Sequence, residues 1–318
     1  MSASIECIAP VGSVLGEGPV WDEHGGTLYW VDIKAPALFA TDIATRQTRR
    51  WPMPERIGAI GLREGQGLVG AFKSGFAFID LPAGTVRPIV DPEPDRPGNR
   101  FNDGKIDPLG RFWAGSMDDE EREPTGHLYR LDPDLSVERF EIGFICTNGI
   151  DWSGDGRTLY FTDTFQRRIY AYDFEKERGS LGARRLFVEV PQGEGFPDGL
   201  TVDAEDHVWG AHWGGGRVTR YRPDGSIEHV LEFPAPLTTS CCFGGPGLET
   251  LFVTTASINL DEAARRAAPL SGGLFAVTGL GIRGRPGTIR SVKKSRDWVV
   301  VQPAPEYGGD ARKILRFA

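Results

Sequence analysis

The feature that most constrains this chain is a polar dipeptide that returns at whole multiples of one interval. An acid or amide followed by glycine opens an apolar stretch in LGEGPVWD (15–22), FNDGKIDP (101–108), CTNGIDWS (146–153) and FPDGLTVD (196–203). Aligned on the glycine, Glu17, Asp103, Asn148 and Asp198 fall in register, two, one and one units apart, with a unit of roughly 45–50 residues. Strand-like runs rich in Val, Ile, Tyr, Phe and Trp recur with them, at TLYWVDI (27–33), RFWAGSM (111–117), TLYFTDT (158–164), HVWGAHW (207–213) and TLFVTTA (250–256). Each has a partner run beyond a Gly-, Asp- or Pro-bearing turn, as hairpins require. RIGAIGLR (56–63) and TTSCCFGG (238–245) fill two remaining slots, giving six units.

A period of this length built from short strands is the mark of a propeller, whereas a β-sandwich has no reason to repeat a polar position in register. The expected fold is therefore all-β, a six-bladed β-propeller with four-stranded blades, over residues 1–286. A more basic C-terminal extension, 287–318, departs from the repeat. Helix is scarce. LDEAARRAA (260–268), with Asn259 as its cap, reads as an insertion in the last unit.

Composition narrows the function classes. With 318 residues, 40% hydrophobic and 25% charged, the chain can bury a sizeable core without staples. Net charge is −8 and the Lys and Arg residues are scattered, so no basic stripe offers itself to nucleic acid. The N-terminal stretch has neither a basic start nor a long apolar run, so neither a signal peptide nor a membrane span is expected. The expected setting is cytoplasmic, with no membrane partner. A monomer is expected because a closed propeller leaves little exposed edge. Cys7, Cys146, Cys241 and Cys242 show no CxxC spacing, and neighbours on a strand point to opposite faces, so four free thiols are expected.

In a propeller the first strand of every blade lines the central channel. Glu17, Asn148 and Asp198 are thereby brought to one mouth. Two carboxylates and an amide oxygen form a hard, oxygen-only donor set suited to Ca²⁺, Mg²⁺, Mn²⁺ or a similar ion. Without a cation, carboxylates so close would repel and one would protonate. Any single Asp-Gly or Asn-Gly is an ordinary turn dipeptide. Four in one register, each leading into an apolar strand, are not explained by turns. Other chemistries find no motif: His24, His127, His207, His212 and His229 lack zinc-protease spacing, and there is no GxSxG elbow. His212 and the tryptophans Trp21, Trp30, Trp113, Trp152 and Trp209 are expected to pack, while Trp213 could stack on a ligand.

The blocks LGEGPVW, NRFNDGK, GRFWAGSM, TNGIDWS, FPDGLTVDAE, GGGRVTRY, TTSCCFGG and GGLFAV, in this order over roughly residues 10–284, resemble those of the senescence marker protein-30/gluconolactonase/regucalcin-like sugar lactonases. The resemblance implies a six-bladed propeller that hydrolyses a small-molecule sugar (aldono) lactone with one divalent metal cation, Ca, Zn, Mn, Mg or Fe. It implies Glu17, Asn148 and Asp198 as metal ligands; in the hydrolysis expected from that set, Asp198 takes the proton of the water and returns it to the ring oxygen. It further implies Arg100 and Asn102 as substrate contacts, with Asp103 behind the ligands. NRFNDGK (99–105) is then a turn whose side chains line the pocket. The run MDDEE (117–121) resembles the family's lid segment, with Glu120 the best match for the glutamate that meets the sugar and Asp119 the alternative. Competing readings are a calcium-binding regulatory protein without catalysis, an ester or phosphotriester hydrolase on the same propeller, and an interaction scaffold. The scaffold has no need of channel carboxylates.

Overall fold

A computed structural model describes residues 3–65 and 67–288. Six antiparallel four-stranded sheets form a ring, so the chain is a six-bladed β-propeller. The innermost strands are Gly16–Asp22, Ile57–Leu62, Asn99–Ile106, Thr147–Trp152, Phe196–Val202 and Thr238–Gly244. Each packs against the inner strand of the next blade, and Thr238–Gly244 returns to Gly16–Asp22. Beyond Thr288 the C-terminal extension lies outside the described residues.

Alternating side chains leave each sheet apolar on both faces, and the faces are buried by stacking blades. Val69, Phe76 and Phe78 of one blade meet Phe101, Phe112 and Tyr129 of the next. Trp113 and Leu128 meet Trp152, Phe161 and Tyr172 across the following seam, with the Trp113 and Trp152 rings edge-on at 6.2 Å. Trp30, Trp113, Trp152 and Trp209 are all buried. Each such side chain contributes about 1.5–3 kcal/mol on leaving water. A device at the foot of two blades repeats with the period. The carboxylates of Asp107 and Asp203 accept backbone bonds from the turn after them, and also the indole N–H of Trp113 (3.0 Å) and Trp209 (2.9 Å).

The repeating dipeptide has a different cause from the one its composition suggests. In all six inner strands the ladder to the second strand slips at the register position: between Glu17 and Val20, Ile57 and Ala59, Phe101 and Gly104, Asn148 and Ile150, Pro197 and Leu200, and Thr238 and Ser240. A bulge leaves a residue unpaired and re-aims its side chain. NRFNDGK is accordingly not a turn: it lies within the strand Asn99–Ile106 and bulges there. Its glycine, and those like it, are demanded by proximity. A Cβ on Gly58 would stand 2.2 Å from the carbonyl oxygen of Asn102, one on Gly149 2.6 Å from that of Asp198, and one on Gly199 2.2 Å from the Ser240 hydroxyl. Only Gly18 among the four glycines that define the register has a positive φ, +51°.

Two local expectations differ from the structure. The helix of the last blade, Glu262–Ala267, is capped not by Asn259 but by Asp261, whose carboxylate accepts the N–H of Ala264 at 2.8 Å. Asn259 instead takes a left-handed conformation (φ +58°). The outer strand of that blade is Ser4–Ala9, at the start of the chain, to which the repeat assigned no role. It pairs with Leu274–Thr278 and closes the ring. Cys7, Cys146, Cys241 and Cys242 are all free thiols. No helix among the described residues is long and apolar enough to cross a membrane.

Candidate active site

Four of the six bulges carry side chains into a cavity of about 210 Å³ at one mouth of the channel. Glu17, Asn102, Asn148 and Asp198 face it from four inner strands, together with Arg100. None of these five is more than 6% exposed. The walls include Phe165, Phe196, Trp213 and Asn259.

The orientation of Asn148 follows from its neighbours. Its amide nitrogen donates to Thr164 Oγ1 at 3.1 Å, and that hydroxyl donates to the Pro197 carbonyl at 3.0 Å. The amide oxygen is thereby turned inward, and Asn148 Oδ1 has no hydrogen-bond partner. Asp198 Oδ1 has none either. A buried acceptor left unmade costs on the order of 1–3 kcal/mol. Glu17 beside them has one backbone bond, from Gly18 N to Oε2 at 2.9 Å.

Charge of one sign is crowded here. Burial, and then the charge of Asp103, push the Glu17 carboxyl up to about 8. Asp198 lies well above the usual carboxylate range because of burial, then Glu17, then Asp103. Asp103 itself rises to about 6, mainly by burial. It does not line the cavity but stands near enough to act on both. Two unpartnered oxygen acceptors beside a desolvated carboxylate fit a divalent cation, which would relieve both the missing bonds and the repulsion. Among the described residues no three His, Cys, Asp or Glu side chains are grouped as a metal site. The donor set thus depends on the Asn148 amide as its third member.

A second layer of bonds fixes the cationic side. Arg100 donates from Nε to Asp119 Oδ1 at 2.9 Å, and from Nη1 to Asn102 Oδ1 at 2.7 Å and to the Phe101 carbonyl at 3.1 Å. Asn102 passes the chain on, donating to the Thr147 carbonyl at 2.7 Å. His212 is engaged elsewhere, between the Glu194 carbonyl and the Tyr221 hydroxyl, each at 2.9 Å.

The acidic run 117–121 does not present Glu120. That side chain is 70% exposed, pairs with Arg122 at 3.4 Å and does not line the cavity. Glu121 does line it. The cause is a tight turn. Asp118 accepts backbone N–H groups from Glu120, Arg122 and Glu123, and Glu121 takes a left-handed conformation (φ +59°) at the cavity edge. Asp119, the alternative, is occupied by Arg100, Lys34 and Arg56. Lys34 also lines the cavity, and the sequence reading missed it. Its loop is pinned by Asp32, which accepts the N–H of Lys34 (3.1 Å) and of Ala35 (2.9 Å).

Comparison with known proteins gives a consistent result. Residues 15–257 match the family model described as SMP-30/Gluconolactonase/LRE-like region. The chain is 38% identical over 289 residues to regucalcin of Xenopus laevis, covering 89% of this chain and 97% of the relative. It is 35% identical over 289 residues to regucalcin of Homo sapiens, with the same two coverages. Among solved structures, a luciferin-regenerating enzyme superposes with a TM-score of 0.85 at 31% identity, covering 91% of this chain and 100% of that one. A regucalcin of Agrobacterium tumefaciens, described as a calcium-binding protein, gives 0.86 at 30% identity, covering 89% and 96%.

Proposed function

Because the chain belongs to the SMP-30/gluconolactonase/LRE-like family, we propose that it hydrolyses a sugar-derived lactone to the open-chain sugar acid, with one divalent cation held by Glu17, Asn148 and Asp198. The observation that carries this reading is the pair of buried, donorless oxygens, Asn148 Oδ1 and Asp198 Oδ1, in a cavity that Arg100 and Asn102 also face.

A lactone is a cyclic ester, and a divalent cation bound there supplies Lewis acidity toward its carbonyl. Asp198 accepts the proton of the attacking water and returns it to the ring oxygen as the C–O bond breaks. Arg100, held rigid by Asp119 and Asn102, faces the negative charge that develops on the carbonyl oxygen. Asn102, and Glu121 in place of Glu120, orient the sugar hydroxyls. Phe165, Phe196 and Trp213 present apolar surface to its C–H faces and exclude water.

The test is acid release from glucono-, xylono- and arabinonolactone after EDTA treatment, with Ca²⁺, Zn²⁺, Mn²⁺, Mg²⁺ or Fe²⁺ then restored one at a time. Metal-dependent release from at least one lactone is expected. The related Agrobacterium protein described as calcium-binding motivates a second reading, a cation-binding protein without catalysis. Tight cation retention with no acid release from any lactone would establish that reading instead.

A further inference from the structure

Four cationic side chains converge on one carboxylate at the rim of the cavity. Asp119, 9% exposed, is met by Arg100 Nε at 2.9 Å, Lys34 Nζ at 3.1 Å and Lys73 Nζ at 3.9 Å, and by the Arg56 guanidinium. Lys34 and Arg100 line the cavity. Arg56 and Lys73 stand further out, with side chains 35% and 38% exposed. Glu121 is the other carboxylate of this rim that lines the cavity, while Glu120 is held by Arg122. With Glu55, which accepts from Ser74 beside Lys73, counted along with Asp119 and Glu121, and with Glu120 and Arg122 taken as a neutral pair, the four cations keep an excess of one positive charge. Glu17 and Asp198, deeper in, do not offset it, because on the reading above a divalent cation balances them.

A neutral lactone gives that excess nothing to bind. Holding Asp119 does not require all four, because Arg100 already anchors it with a partly buried, charge-assisted bond. We propose that the lactone taken by this site carries an anionic substituent, a carboxylate or a phosphate, seated against Lys34, Arg56 and Lys73 while the ester lies at Glu17, Asn148 and Asp198. This rests on the hydrolytic reading and narrows its substrate class. The field at Lys34 agrees: burial, and then the charges of Arg100 and Arg56, lower its ammonium to about 8 against the opposing pull of Glu121 and Glu120. An anion placed there relieves that repulsion.

The experiment compares kcat/KM at low ionic strength on gluconolactone (neutral), glucarolactone (carboxylate) and 6-phosphogluconolactone (phosphate), for the wild type and for Arg56→Gln and Lys73→Gln. A charged hydrogen bond corresponds to roughly a tenfold effect. One of the two anionic lactones is expected to exceed gluconolactone by at least about tenfold, and which one it is identifies the group. The advantage should shrink as salt is added. Each variant should lower the anionic-to-neutral ratio, through KM more than kcat. Gluconolactone turned over as well as, or better than, both charged lactones would overturn the inference and leave the hydrolytic reading standing. Equal losses on neutral and charged lactones in the variants would also overturn it, by showing that the cations only hold Asp119. No hydrolysis of any lactone would remove the hydrolytic reading and this inference with it.

Discussion

The two mouths of the channel are built on the same strands and treat their buried carboxylates in opposite ways. Asn148 and Asp198 face one mouth. Three residues further along the same strands, Asp151 and Thr201 face the other, beside a cavity of about 370 Å³. Asp151 is fully engaged there. It accepts from Lys105 Nζ (2.7 Å), Thr201 Oγ1 (3.1 Å) and the N–H groups of Trp152 (2.8 Å) and Val202 (2.9 Å), with Arg285 at 3.7 Å. Burial works to raise its carboxyl, but Lys105 and Arg285 hold it below the usual range. Asp198, equally buried, is driven the other way. The channel itself therefore does not force acceptors to go without partners. The orphaned oxygens at one end follow from the residues placed there, not from the channel.

Breaking the open mouth should have the largest effect. Asp198→Ala is expected to lower lactone turnover by on the order of 10³-fold and to abolish cation retention, read by acid release and by metal analysis of the purified protein. Full activity in that variant would end the assignment. Glu17→Gln should split two properties. Cation affinity should fall at least about tenfold. The metal-free fold should gain about 1–3 kcal/mol, because an amide cannot carry the charge that burial penalises there. Thermal melts in EDTA and a cation titration read the two separately.

At the closed mouth Asp151→Ala should do the reverse. It should cost stability and leave cation binding and turnover per folded molecule unchanged. The loss should be about 1–3 kcal/mol, below the figure for a fully buried pair because the Lys105 side chain is 31% exposed. A drop in cation affinity without a drop in melting temperature would contradict the division of roles.

The mildest test is pH. Glu17 stands at about 8 in the fold against an ordinary 4.5, so between these values the folded chain holds a proton that the unfolded chain releases. Metal-free stability should therefore fall as pH rises through that window, with melting lowered by roughly 2–4 °C per kcal/mol lost. A saturating cation should flatten the profile. Asp151, held below its ordinary value, contributes with the opposite sign, and its share is lost only on acidification.

The fold was legible because its period has a mechanical origin. Neighbouring inner strands approach so closely at Gly58, Gly149 and Gly199 that a side chain cannot be accommodated, and the polar residue before the bulge is carried along in register. That is why Glu17, Asn148 and Asp198 could be placed together across three blades. NRFNDGK was misread because Asn, Asp and Gly suit a turn and a bulge equally, and only the pairing with Phe112–Asp118 separates the two. The cap was misplaced for a similar reason: Asn259 and Asp261 are both good caps two residues apart. Glu121 escaped notice because a run of adjacent acids does not reveal which of them the turn leaves at the cavity. Lys34 and Lys73 lie in the equivalent loop of the first two blades and Arg56 in the connection between those blades, three short segments with no motif of their own, and their side chains meet at Asp119.

The blade sealed by Ser4–Ala9 carries a consequence for biosynthesis. Ser4 pairs with Thr278, so one strand must wait for a partner synthesised more than five blades later. Such a distant closure is slow, and until it happens the hairpins of the nascent chain keep an exposed edge. The wait, more than any weakness in the finished ring, is where this chain would need protection from a chaperone.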